Sequence, residues 1–216
     1  MPSVQNAILL HASLATGAPA PWLQPLLQAL PYARRLQIER ADGAAQAASL
    51  AGLALALTAA GRAIGEIPRV ADFRFITGAK PRLEQGPAFS VSHTADRVAC
   101  VVCNGVDLGL DIETVPSVAG GTTLRKLLRW TASEATLKAA GLGLRQVSEV
   151  VLEQQSERTA VLAGRRYALL EVQLTPHTIG HVASAESIEL RVDTVALDGA
   201  EVSSTVQRAL GLPAQG

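Results

Sequence analysis

The chain has 216 residues, which suits one domain or two small half-domains that share a core. Hydrophobic residues make up 48% of it, so a core can form without disulfides or a structural metal. With 19 basic and 19 acidic residues the formal net charge is zero. This balance argues against a general nucleic-acid binder, although it leaves room for a local basic pocket around one phosphorylated small molecule.

The N-terminal half is predicted to contain, in chain order, a strand at 8–11, helices at 22–30 and 42–64, and a strand at 73–76. Asp42 has the character of an N-cap, and Gly65 has that of a C-terminal cap. The long helix contains the longest apolar run of the chain. Because polar residues interrupt this run, which is also short for a membrane span, we interpret it as a buried helix. A turn is expected at 78–81, and no secretory signal is expected, since no positive charge precedes the first apolar stretch.

The middle of the chain is predicted to hold three successive strands, at 88–93, 98–103 and 106–112. Asn104-Gly105 predicts a hairpin between the last two, because both central positions of a type I′ turn need positive φ. A helix at 124–140 is expected to end at Gly141. The later elements are predicted as short strands at 147–152, 159–163, 167–173, 180–183 and 188–195, and a short helix at 199–210.

Each half of the chain thus offers a helix and β segments, with a junction near residues 104–106. We predict an α+β fold of two half-domains, residues 1–105 and 106–216, with a cleft between them. The two cysteines, Cys100 and Cys103, lie in an apolar strand pattern in which residues three apart face opposite sides. We therefore expect two reduced, packed thiols, typical of a cytoplasmic protein, and no zinc or redox site.

Two acids, Asp111 and Glu113, are two residues apart on a predicted strand, so both carboxylates share one face. Carboxylates held close together repel unless a cation or a proton lies between them, and oxygen ligands suit Mg²⁺. The alternative is a solvated strand end with two ordinary acids. Glu134 and Lys138, at i and i+4 of a predicted helix, either form a surface ion pair or contribute to the same site. The adjacent Ser92 and His93 are able to donate hydrogen bonds to an anion at a strand end.

Four motifs occur in a fixed order: Gly78-Ala79-Lys80-Pro81, then FSVSHT at 89–94, GLDIE at 109–113 and WTASEATLK at 130–138. In this order they resemble the Sfp-type 4′-phosphopantetheinyl transferases, over residues 78–138. The resemblance implies two similar α/β halves related by a pseudo-twofold axis, with coenzyme A in the cleft. It further implies transfer of the phosphopantetheine group of coenzyme A to a serine of an apo acyl or peptidyl carrier protein, with release of 3′,5′-ADP.

The resemblance also implies roles for individual residues. Mg²⁺ on the pyrophosphate would be held by Asp111, Glu113 and Glu134. The 3′-phosphate of coenzyme A would be contacted by Ser92 and His93, and other phosphate charge would be neutralised by Lys80 and Lys138. Glu134 is our choice for the base that accepts the serine proton, and Lys138 would stabilise charge on the transferring group. A basic residue among Arg34, Arg35 and Arg40 is a further candidate for the phosphate pocket. The expected partners are coenzyme A and the carrier protein, with a monomeric enzyme and neither nucleic acid nor membrane involved.

The chain departs from the family pattern in two places. Ser133 stands where the family usually has lysine, and the segment 114–129 is short in a region that commonly helps to dock the carrier protein. These departures motivate an alternative, a degenerate relative that binds coenzyme A or a carrier protein without efficient transfer. A third hypothesis is a zinc hydrolase built on His177 and His181, which are spaced i and i+4; Gly180 and the lack of an intervening glutamate disfavour it.

Overall fold

The structure is a computed structural model that describes residues 4–14, 20–76, 79–118, 120–153 and 158–213. In chain order the strands are β1 (Gln5–Ser13), β2 (Phe73–Arg74), β3 (Arg82–Leu83), β4 (Ala88–His93), β5 (Arg97–Cys103), β6 (Leu108–Thr114), β7 (Val151–Leu152), β8 (Thr159–Leu162), β9 (Arg165–Thr175), β10 (Thr178–Ser184) and β11 (Ile188–Thr194). The helices are α1 (Leu23–Ala29), α2 (Tyr32–Glu39), α3 (Gly43–Ile64), α4 (Gly121–Ala140) and α5 (Ala200–Ala209). The predicted α+β class is confirmed.

Two larger sheets lie between the two long helices. The first sheet has the strand order β11-β1-β5-β4, and the second has the order β6-β10-β9-β8-β7. Strands β2 and β3 form a small separate pair. One apolar cluster lies between α3 and the first sheet, a second between the two sheets, and a third between the second sheet and α4. The order of layers is therefore α3, first sheet, second sheet, α4.

The helix α3 begins and ends where the sequence predicts. Asp42 accepts a hydrogen bond from the backbone N–H of Ala45 at 2.8 Å, as an N-cap does. Gly65 closes the helix with a φ of 76°, a left-handed conformation that glycine adopts without steric cost. By length and apolarity this helix would be able to cross a membrane, but 67% of its most apolar window is buried inside the protein. That burial is consistent with a core helix of a soluble protein.

The second long helix, α4, packs closely on the second sheet because of a glycine. A Cβ at Gly109 of β6 would overlap the carbonyl oxygen of Ala135 and the backbone nitrogen of Ala139. Only glycine permits this approach without a shift of the helix, and the approach sets the distance between α4 and β6. The side chains of α4 are thereby placed directly over those of β6.

The hairpin predicted at Asn104-Gly105 is wrong. β5 pairs with β1 and β4 in the first sheet, whereas β6 pairs with β10 in the second, so the chain changes sheets at this point. Gly105 has a φ of 78°, but Asn104 is not among the described non-glycine residues with positive φ, and no type I′ turn forms. The local turn signal is real, but it reverses the chain between two stacked sheets.

A two-residue hairpin instead joins β8 to β9. Its central residues, Ala163 and Gly164, have φ values of 50° and 78°, as a type I′ turn requires. Alanine is an unusual residue at such a position, so the sequence signal was weak. Two further predictions were only partly right: residues 144–149 form a 3₁₀ turn before the short β7, and the strand predicted at 73–76 has only two residues. The helix α2 was not predicted, and Gly78 of the predicted turn lies outside the described residues.

The end of the chain returns to the first sheet. β11 pairs in parallel with β1, with Gln5 opposite Ile188, and α5 packs its Val202 and Val206 into the core beside α3. The boundary predicted between residues 105 and 106 stays a prediction. The cysteines lie as predicted: both are free and buried, with Cys100 in the α3 core and Cys103 in the core between the sheets.

Candidate functional site

The candidate site lies between β6 and α4. Alternate residues of β6 (Leu108, Leu110 and Ile112) point into the core between the two sheets. The carboxylates of Asp111 and Glu113 therefore point to the opposite face, where α4 lies. The alternation that makes β6 a strand thus delivers both acids to the same helix.

Asp111 is the centre of this site. It is only 4% exposed. Its Oδ1 accepts hydrogen bonds from the hydroxyl of Ser92 at 2.9 Å and from Nζ of Lys138 at 2.6 Å. Its other oxygen, Oδ2, is buried and accepts none. One half of the carboxylate is therefore held firmly, and the other half offers lone pairs to a partner that the protein does not supply.

Lys138 connects the helix to the strand. Its Nζ also donates to the carbonyl oxygen of Leu110 at 3.0 Å and lies 3.9 Å from Oε2 of Glu134. The spacing of four residues places Glu134 and Lys138 on the same face of α4, toward the second sheet. The ammonium group thus stands between Asp111 and Glu134 and partly offsets their repulsion.

The neighbouring acids are perturbed by this arrangement. Burial, followed by the charges of Asp111 and Glu113, raises the pKa of Glu134 to about 7 against the opposing effect of Lys138. The pKa of Glu113 is also raised, first by burial and then by Asp111, while a hydrogen bond from Trp130 and the charge of Lys138 lower it. The pKa of Glu134 thus responds to both of the other acids and that of Glu113 responds to Asp111, so the structure brings Asp111, Glu113 and Glu134 into one electrostatic cluster.

The donor chemistry of this cluster fits a hard divalent cation. Carboxylate oxygens are the ligands that Mg²⁺ prefers, and Oδ2 of Asp111 is a buried acceptor without a partner. In the conformation observed, no three His, Cys, Asp or Glu side chains within the described ranges are arranged to hold a metal ion. Lys138 occupies Oδ1 of Asp111, so a cation would enter from the side of Oδ2.

Two serines of β4, in the first sheet, form hydrogen bonds with β6, the strand that carries Asp111 and Glu113. The hydroxyl of Ser92, which is 6% exposed, donates to Asp111 and accepts from the backbone N–H of Ile112 at 3.2 Å. Ser90 accepts in the same way from the backbone N–H of Leu110 at 3.0 Å. These bonds join β4 to β6, which belong to different sheets. Sequence reasoning placed Ser92 at a phosphate and did not notice Ser90, although their spacing of two was visible.

His93, the next residue, is exposed at the end of β4. Adjacent residues of a strand point to opposite sides, so it is directed away from Ser92. The structure therefore separates the two side chains that the sequence analysis placed at one anion. Only the imidazole of His93 remains available to a ligand from solvent.

Lys80 contacts β6 from the segment that precedes β3. Its Nζ donates to the carbonyl oxygen of Leu108 at 2.5 Å. The pKa of Lys80 is lowered to about 8, mainly by burial. The charge of Asp107 opposes this lowering, and the charge of Lys138 reinforces it. Lys80 and Lys138 line a common cavity of about 160 Å³, together with Arg82 and the end of α4. Three basic side chains therefore converge next to the acid cluster.

The two histidines of the zinc hypothesis do not form a site. His177 is exposed in the turn after β9, whereas His181 lies on the strand β10 and is buried. Nδ1 of His181 is 2.8 Å from the hydroxyl of Thr131 on α4. Because one ring is exposed in a turn and the other is buried beneath α4, the two rings do not converge, so this hypothesis loses its geometry.

Two of the N-terminal arginines, Arg34 and Arg35, have partners on α1, α2 and the segment of Phe75. Arg34 donates to Gln37 at 2.8 Å and its guanidinium lies 5.6 Å from the centre of the Phe75 ring, while Arg35 donates to Gln28 at 3.1 Å.

No family model matches the chain, and no curated protein shows significant similarity to it. The function must therefore be inferred from the side chains of the site.

Proposed function

We propose that this protein is a Mg²⁺-dependent 4′-phosphopantetheinyl transferase that modifies a serine of an apo carrier protein. One observation carries the proposal: the buried carboxylate of Asp111, bonded to Lys138 through one oxygen and without a hydrogen-bond partner at the other, lies in one electrostatic cluster with Glu113 and Glu134. Burying several acids together is unfavourable unless a bound cation compensates their negative charge. The acids would bind a cation that accompanies a diphosphate, and the adjacent lysines would neutralise the phosphate charge.

The lysines supply the charge that a diphosphate requires. Lys80 and Lys138 line one cavity beside β6 and are positioned to neutralise phosphate oxygens, and His93 is exposed for the 3′-phosphate of coenzyme A. Ser92 acts as a positioning residue for Asp111, because its hydroxyl is already engaged on both sides. Asp111, Glu113 and Glu134 would hold Mg²⁺, which when bound supplies positive charge to the pyrophosphate.

The chemical step is an in-line displacement at phosphorus. The hydroxyl oxygen of the carrier serine forms a bond to the β-phosphorus of coenzyme A, and the bond from that phosphorus to the bridging oxygen breaks, with 3′,5′-ADP as the leaving group. The serine proton passes to the carboxylate of Glu134, which a bound cation would keep ionised and able to accept it. Lys138 stabilises the charge that develops on the phosphoryl oxygens.

The layered fold supports the same proposal. Each of the two long helices covers the outer face of one sheet, and the sheets pack against each other through an apolar core. We include in the proposal the arrangement of two similar halves about a pseudo-twofold axis, with the substrate between them, in a monomeric cytoplasmic enzyme. β4 of the first sheet and β6 of the second meet at the acid cluster, where such a cleft would open.

The alternative is a binding protein with the same architecture. Ser133, which stands where the resembled family has lysine, turns its hydroxyl back to the carbonyl oxygen of Arg129 at 2.9 Å on its own helix. One positive charge is thus missing next to the acid cluster. If that charge is indispensable for transfer, the protein would bind coenzyme A or a carrier protein without efficient catalysis.

Mass spectrometry of apo carrier proteins distinguishes the two functions. Fatty-acid, polyketide and peptidyl carriers are incubated with the protein and coenzyme A, with Mg²⁺ or with EDTA, and we expect one phosphopantetheine adduct on at least one carrier in Mg²⁺ only. Binding of coenzyme A, measured by calorimetry, without an adduct on any carrier would support the alternative. The absence of both coenzyme A binding and a carrier adduct would contradict both functions. The Glu189→Ala variant, which removes an exposed acid from β11, should behave as the wild type.

A further inference from the structure

A second, larger cavity lies at the opposite edge of the first sheet. It measures about 550 Å³ and opens where β1 and β11 end and β5 begins, next to the first turns of α1 and α3. This volume lies within the range of about 300–1,000 Å³ that is typical of small-molecule sites. Its described lining residues include none of the acids or lysines of the candidate active site.

The walls of this cavity have a polar rim and an apolar interior. Ser13, Thr194 and Asp198 are exposed at the rim, whereas Trp22 and Ala51 are buried. The indole N–H of Trp22 donates to a backbone carbonyl oxygen, that of Leu197, at 2.9 Å. The polar atom of the tryptophan is therefore satisfied, and its ring is left as an apolar wall.

Arg97 supplies positive charge to this cavity, and the acid of the described lining, Asp198, lies at the exposed rim beyond ion-pair distance from it. Its Nη1 donates to Nδ1 of His11 at 3.1 Å, and its Nε is buried without a hydrogen-bond partner. No carboxylate of the described residues lies within ion-pair distance of this guanidinium, and the nearby Asp193 pairs with Arg62 and Arg191. The side of a guanidinium formed by Nε and Nη2 is the one that binds a carboxylate with two parallel hydrogen bonds.

The imidazole of His11 is unable to neutralise this charge. An arginine only donates, so Nδ1 of His11 must accept and carries no proton. The proton is then on Nε2, which lies 3.0 Å from the hydroxyl of Thr194. Burial and the charge of Arg97 both lower the pKa of His11, which keeps the ring neutral. The ring therefore fixes the orientation of the guanidinium and leaves its positive charge uncompensated.

We propose that this cavity binds a monocarboxylate with an apolar tail, such as a medium-chain fatty acid. The carboxylate pairs with the half-buried guanidinium of Arg97, and the tail lies in the apolar interior along Trp22 and Leu23. An uncharged apolar molecule would leave the guanidinium unpaired, and a small anion would leave the apolar walls empty. Both parts of the ligand are therefore needed.

Titration calorimetry with the full-length protein tests this assignment, using decanoate below its micellar concentration. Decanol and acetate serve as probes that lack the charge and the tail, respectively. We expect saturable binding of decanoate at least about tenfold tighter than binding of either probe, as one charge-assisted pair accounts for such a factor. The absence of saturable decanoate binding, or decanol binding of equal strength, would overturn the proposal.

Two matched pairs of variants locate the ligand. Arg97→Met should weaken decanoate binding at least about tenfold, while Arg191→Met, an exposed arginine of β11, should leave it unchanged. Ala47→Phe fills the cavity from α3 and should abolish binding, whereas Ala44→Phe on an exposed position of the same helix should not. Thermal unfolding establishes that each variant is folded. Equal binding by both members of either pair would contradict the assigned site.

Discussion

The two long helices differ in what they bury. α3, with 22 residues, packs on the first sheet through alanine, leucine and glycine, and its buried polar residue, Thr58, bonds within its own helix to Ala54 at 2.9 Å. α4, with 20 residues, packs on the second sheet through a mixture of alanines and polar groups. Among these, Thr131 and Lys138 find their partners on other elements of the fold.

This difference indicates that the interface of α4 contributes less to stability than that of α3. A dry interface such as that of α3 gains free energy with every apolar contact, whereas buried charges require desolvation that their pairing only partly offsets. Nothing in the packing of α4 requires an acid at position 134 or a lysine at 138. The polar interface is therefore best explained by chemistry, and its groups are the ones to change.

The largest expected effect comes from Asp111→Ala. This variant removes the acid that contacts Lys138 and has a buried oxygen without a hydrogen-bond partner, so we expect carrier modification to slow by about a thousandfold. Stability should change little, because relief of repulsion with Glu134 opposes the loss of the partner of Lys138. Initial rates of pantetheinylation by mass spectrometry, with the melting temperature of each protein, measure both quantities.

Glu189→Ala is the control for this variant, since it removes an acid from a strand of the first sheet. It should keep the wild-type rate. A wild-type rate for Asp111→Ala would show that the polar interface of α4 is not the catalytic site, and the comparison between the two helices would then carry no functional meaning.

The next effect concerns the acid stability of the polar interface. Burial lowers the pKa of His181 to about 4 from an ordinary value of 6.5. The neutral ring thus contributes stability that is complete above pH 6.5 and is lost as the pH falls toward 4, amounting to about 3 kcal/mol. We expect the free energy of unfolding of the wild type to fall over this range by that amount more than that of His181→Asn.

Urea denaturation between pH 4 and pH 7 measures this difference. The contribution of the buried His11 to the pH dependence is the same in both proteins and cancels in the comparison. His177→Asn is the control, since His177 is exposed and should leave the wild-type profile unchanged. Parallel profiles for the wild type and His181→Asn would show that the pKa of His181 is not lowered by folding.

Much of the fold was predictable because its signals are local. The bounds of α3 follow from Asp42 and Gly65, and β4 occupies the residues predicted for it. Strand pairing was not predictable, because a turn signal such as Asn104-Gly105 reports that the chain reverses but not which strand becomes its neighbour. The parallel pair of β1 and β11 joins residues at opposite ends of the chain.

The same limit applies to the candidate site. The shared face of Asp111 and Glu113 follows from strand periodicity, and that of Glu134 and Lys138 follows from helix periodicity. The inward role of Ser92 did not follow, since it depends on β4 and β6 meeting across two sheets. The unpaired Arg97 was likewise invisible in the sequence, because its surroundings come from separate segments.

The smallest expected effect comes from Glu134→Gln in the metal-free protein. The pKa of Glu134 is raised from 4.5 to about 7, so its ionisation in the folded state costs stability that begins to appear above pH 4.5 and is complete above about pH 7. Replacement by glutamine removes this cost. After allowance for solvent screening, we expect the variant to be about 1 kcal/mol more stable than the wild type at pH 8 and nearly equal to it at pH 5.

Urea denaturation in EDTA at the two pH values measures this gain, and addition of Mg²⁺ then sharpens the interpretation. A cation among the three acids stabilises their ionised forms, so Mg²⁺ should raise the stability of the wild type at pH 8 more than that of the variant. Glu149→Gln, on an exposed acid of the 3₁₀ turn, should show neither effect. If the gain persists at pH 5, ionisation of the buried Glu134 is not its cause, and the polar interface of α4 would have to be explained by packing alone.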